Sequence, residues 1–170
     1  MPAGYFQIFN PFFVITLAPL LAAVWIALAR RNLNPSLPVK FALGLLLLGG
    51  GFLVMAGAAK IGLKNGKVWP TWLITTYLLH SVGELCLSPV GLSSVTKLSP
   101  PRLVGQMMGI WFLATSLGNL IGGLIAGAVG GESADQMPAR FLQVVLTACG
   151  TGGLLLLFVK PIKKLMSGVE

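Results

Sequence analysis

Tyr77, His80, Glu84 and Ser88 follow one another at spacings of three, four and four in the stretch YLLHSVGELCLSPVG. On a helix such spacings gather all four side chains on one face. Leu78, Leu79, Val82, Leu85 and Leu87 around them are apolar. A carboxylate on such a stripe can receive a cation or carry a proton. A histidine can relay a proton, and the hydroxyls can orient a ligand. Glu84 is the one charge, besides His80, in the 28 residues Trp69–Thr96. If helical, that segment is roughly 42 Å long and crosses a bilayer with some tilt, which puts Glu84 near mid-depth. Inserting an acidic side chain there costs roughly 2.5–3.5 kcal/mol, so it turns to a bundle interior or a water-filled cavity. Glu84 then either binds or relays a charge or is a paired residue setting helix register, and its depth favours the first reading. His80 stands equally as a hydrogen-bonded packing residue and as a proton carrier.

Pro89, directly after Ser88, removes the hydrogen bond to the Leu85 carbonyl, and Gly83 and Gly91 thin the helix on either side. The expectation is a helix broken at mid-depth beside a charge, the arrangement transporters use for substrate and ion sites. The protonation of Glu84 would then respond to the arrival or departure of a cationic partner. No basic residue within the spans of this chain can be a resident partner.

The elements that must position this stripe follow from composition. Of 170 residues, 55% are hydrophobic and 9% charged, against about 25% charged in soluble domains. Five long apolar stretches qualify as bilayer spans: 11–29, 41–59, 69–96, 103–131 and 141–159. The fold class is an all-α integral membrane protein. The net charge of +8 does not indicate nucleic-acid binding, because the basic residues stand singly or in small groups between spans. Alternating the loops puts Arg30, Arg31, Lys40, Lys97, Arg102, Lys160, Lys163 and Lys164 on one side, and Lys60, Lys64, Lys67 and Arg140 on the other. Eight against four favours the cytoplasm for the first set and for the C-terminus. The opening MPAGYFQIFNP has neither the basic segment nor the cleavage site of a signal peptide.

Several finer expectations follow. Pro11 suits a first helical turn, and Pro19 should kink or loosen the first span. The second span, with its glycine triplet, reads as a structural or lipid-facing helix. Trp69 and Trp72 suit an interfacial anchor. Ser99 before Pro100 and Pro101 suits an N-cap for the fourth span. In that span Gly118 and Gly122 favour close helix packing. Cys86 and Cys149 read as small apolar packing residues with no disulfide. No metal-ligand cluster, cofactor motif or nucleophile–base set is present, so the chain does not read as an enzyme.

The stretches FQIFNPFFVITLAPLLAAVW, KFALGLLLLGGGFL and YLLHSVGELCLSPVGLSSVTKLSPPRLVGQMMGIWFLATSLGNLIGG resemble the proton-dependent oligopeptide transporters of the major facilitator superfamily. The most specific part is GELCLSPVGLS followed by the pattern P-R-x-x-G-x-M-M-G-x-W-F. The resemblance implies that the five spans are helices eight to twelve of a twelve-helix, two-lobed fold, the partial C-terminal lobe of a symporter for short peptides and protons in the inner membrane. It implies that Asn10 hydrogen-bonds the peptide backbone and that Glu84 receives the peptide amine and takes part in proton coupling. Ser88, Trp111 and Phe112 would line the pocket. From the residues alone, Trp111 and Phe112 read as packing or interfacial aromatics. The family's N-terminal lobe, its seventh helix and the lysine that pairs with the Glu84 position have no counterpart in this sequence, so the chain alone is expected to be inactive. The rival reading is a non-transporting five-helix scaffold, with Glu84 paired to His80 or to a neighbouring subunit.

Overall fold

In lipid every backbone N–H and C=O must find its partner inside the element, which leaves the helix as the way for apolar stretches of this length to cross. The computed structural model describes residues 8–129 and 134–166. It contains α1 (Phe9–Arg30), α2 (Leu37–Asn65), α3 (Thr71–Leu98), α4 (Val104–Val129), α5 (Met137–Leu157) and the short α6 (Val159–Leu165). Helices α1 to α5 are long and apolar enough to cross a membrane. The expected end of the fourth span at Gly131 lies outside the described residues.

Local signals set the ends. Pro38 lies in the first turn of α2, and Gly66 closes that helix with φ 69°, its N–H bonded to the Gly62 carbonyl. A left-handed residue of this kind is where glycine costs least. Ser99 does not start the fourth span. Its backbone N–H and its hydroxyl both bond the Val95 carbonyl, closing α3. The two prolines then form a turn, with Leu103 N–H on the Pro100 carbonyl, and α4 begins at Val104.

Both internal prolines are carried without interruption. Pro19 lies inside α1 and Pro89 inside α3. The expected break at mid-depth is therefore absent, and α3 runs as one helix. A proline removes a single ladder bond, and the turns on either side keep theirs.

Helix α2 is the hub, packed along α5 on one side and α3 on the other, while α1 and α4 lean on α3. Its glycines explain that place. A side chain on Gly44 would collide with Leu87 and the Gly83 carbonyl, one on Gly49 with Cys149, and one on Gly51 with the His80 ring. Gly44 and Gly83 face each other so closely that a Cβ on either would lie 2.9 Å from the other's carbonyl oxygen. Close backbone approach is how helices gain dispersion energy in lipid, where apolar burial supplies no drive. The second span is thus a structural helix at the centre of these contacts, with Leu43 and Leu53 still exposed on its free face. Gly118 and Gly122 of α4 have open space around them, so this glycine pair makes no tight packing here.

Candidate functional site

Along α3 the side chains divide by direction. Gly83, His80 and Thr76 face α2: Gly83 lies against Gly44, the His80 ring against Gly51 and Phe52, and the Thr76 hydroxyl donates to the Gly51 carbonyl at 3.3 Å. Ser81, fully buried, faces α1 and donates its hydroxyl hydrogen to Asn10 Oδ1 at 3.0 Å. Gly91 faces α4, where the Trp111 indole lies directly on its backbone.

Glu84 falls between the last two directions. It follows Ser81 by just under one turn and precedes Gly91 by about two turns, so it looks into the notch between α1 and α4. Glu84 and Ser88 are both exposed there, with Tyr77 half-buried. Among the described residues Glu84 forms no hydrogen bond or ion pair. An exposed carboxylate at mid-span has left its own chain's helices and requires water or a cation to face.

His80 departs from the expected stripe. Each four-residue step drifts about 40° on a helix of 3.6 residues per turn, enough to carry His80 onto α2. Its ring centroid is 4.9 Å from that of Phe52, and its Nε2 is buried without a hydrogen-bond partner. It therefore does not pair with Glu84, which removes one of the two partners that the scaffold reading offered.

Asn10 sits in the first turn of α1, half-buried, opposite Ser81 of α3. Its carbonyl oxygen is taken by Ser81, which leaves the Nδ2 donors to serve a ligand. Ser81 lies three residues before Glu84, so it falls beside the polar stripe on α3. Trp111 is half-buried against α3, and Phe112 beside it is 59% exposed. Tyr77, Glu84 and Ser88 thus share one face of α3, Asn10 is joined to that helix through Ser81, and Trp111 packs on Gly91. Cys86 is buried on α3, Cys149 packs on Gly49, and both are free thiols. Among the described residues no three His, Cys, Asp or Glu side chains come together as a metal site.

Five helices long and apolar enough to cross a membrane define an α-helical membrane protein. The family is set by comparison. The pattern of the POT family matches residues 1–141, and the chain belongs to that family. It is 42% identical over its whole length to the peptide transporter YePEPT of Yersinia enterocolitica, covering 34% of that protein. It is 41% identical over 82% of its length to dipeptide and tripeptide permease A of Salmonella typhi, covering 27% of it. A crystal structure of the peptide transporter POT in complex with sulfate superposes on 95% of this chain and 32% of that one, with a TM-score of 0.82 and 38% identity. These are transporters of the major facilitator type, and this chain shares their membrane fold. It spans about a third of the length of the relatives it matches.

Proposed function

We propose that this chain forms helices eight to twelve of a proton-coupled symporter for di- and tripeptides, working by alternating access in the plasma membrane with its C-terminus in the cytoplasm. The observation that carries the reading is Glu84, exposed on α3 with no ion pair among the described residues. An anion at that depth would be too costly to keep unless a cation or proton visits it. The relatives' names, peptide transporter and dipeptide and tripeptide permease, supply the cargo class.

A zwitterionic peptide brings an ammonium group, and a carboxylate accepts either that ammonium or a proton. With Glu84 ionised, the peptide amine docks there and the Asn10 Nδ2 donors meet a backbone carbonyl, while the co-transported proton enters on another group of the complete transporter. Once the site opens to the cytoplasm, that proton moves onto Glu84 and releases the amine. Glu84 then gives the proton to the cytoplasm before the empty carrier turns back, so peptide and proton cross in the same direction. Ser88, Trp111 and Phe112 border the peptide's side chains. His80 belongs to the α2–α3 seam and not to the proton path.

In the complete transporter, Glu84→Gln keeps the shape and removes the proton-accepting oxygen. Uptake of dipeptide driven by an inward proton gradient should fall to background while the amount of protein in the membrane stays unchanged. Undiminished proton-driven uptake by Glu84→Gln would remove this residue from the mechanism.

A further inference from the structure

At the end of the bundle that carries the connector from Arg31 to Ser36, α1, α2 and α3 diverge and leave a cavity of about 360 Å³. It lies away from the Glu84 notch, on the side of α3 between α1 and α2. Its deep wall is apolar, with Ala18 and Leu21 from α1 and Leu85 and Val90 from α3. Its mouth is basic, lined by Lys40 of α2 and Lys97 of α3, whose ammonium groups lie near enough to repel each other. Trp25 closes one side, its ring centroid 5.0 Å from Lys40 Nζ. None of the lining residues is acidic.

That division, apolar depth with a doubly cationic mouth and an indole between them, matches one kind of molecule in a membrane. A phospholipid has an acyl chain to lie along Leu21 and Leu85 and a phosphate to sit between two ammonium groups. A cation–π contact leaves the charge of Lys40 unneutralised, and none of the residues around it in the cavity is acidic. Basic pockets between transmembrane helices bind acidic lipid headgroups by this chemistry. We infer that the cavity between α1, α2 and α3 is a binding site for an anionic phospholipid, its phosphate held by Lys40 and Lys97.

The test is lipid retention by native mass spectrometry of the purified protein, titrated with phosphatidylglycerol or with phosphatidylcholine. Phosphatidylglycerol should bind the more tightly. Lys40→Gln with Lys97→Gln should weaken it roughly fivefold for each ammonium removed and leave phosphatidylcholine unchanged. The paired arginine variants should retain it, and Lys60→Gln with Lys64→Gln, at the opposite end, should change nothing. Inorganic phosphate at millimolar concentration should not displace the lipid. Equal binding of the two lipids, or full retention by the glutamine pair, would overturn the inference. So would an equal loss on substituting Lys60 and Lys64, or displacement by inorganic phosphate, which would indicate a site for the free anion.

Discussion

Glu84 and Ser81 sit within one turn of each other and do opposite things. Ser81 has no exposed surface and joins α3 to α1 through Asn10, while Glu84 stays open. The Asn10 side chain therefore holds the edge of the site with its oxygen and faces the site with its nitrogen. Interhelical hydrogen bonds of this kind average about 0.6 kcal/mol, with about 1.7 kcal/mol at the upper end. A double-mutant cycle of Asn10→Ala and Ser81→Ala, read by unfolding in mild detergent, should return a coupling in that range. A coupling of zero would detach Asn10 from α3. His80 offers a sharper separation of roles. Its unpartnered Nε2 in the α2 seam costs stability, so His80→Leu should melt at the same or a higher temperature and retain proton-driven uptake. Loss of uptake in that variant would put His80 on the proton path.

The elements are held by close approach of backbone. Gly83 meets Gly44 with no room for a Cβ, and both neighbours are backbone atoms, which cannot swing aside. Gly83→Val should therefore cost at least the 1–3 kcal/mol typical of roughly one overpacked position, seen as early loss of α2–α3 packing on heating. Gly118→Ala, with nothing within reach of the new methyl group, should leave that transition where it is. If the two variants melted alike, the glycine seam would not be what joins α2 to α3. Glycine spacing alone does not distinguish these cases. In α4 the spacing is present and the neighbour is not, whereas in α2 the glycines fall irregularly and are packed by α3 and α5.

For the whole molecule, the distribution of burial matters most. Helix α2 holds the largest share of the buried residues, while α1 has none and α4 exposes Ile110, Phe112, Leu113, Leu120 and Leu124. The two open helices flank the Glu84 face of α3, and on the proposed function the rest of the transporter covers them. Purified and placed in liposomes under an inward proton gradient, the 170-residue chain should accumulate no dipeptide, because Glu84 has no cation to work against. Accumulation at the rate of the complete transporter would show that these helices suffice.

Composition was enough to read the class of fold. Long apolar runs in a chain with few charges have one stable solution in lipid, so the helices were legible to within a few residues at most ends. The carboxylate at mid-depth was legible for the same reason: its cost there is independent of any neighbour. Direction was not legible. A four-residue spacing puts His80 and Glu84 on one stripe, yet the drift of the helix and the seat of α2 on Gly83 turn one inward and leave the other open. Nor could the sequence show that α3 runs unbroken through Pro89, or that the glycine triplet lies at the centre of the bundle. Those outcomes depend on which surface another helix covers, and packing between helices is decided only when all of them are in place.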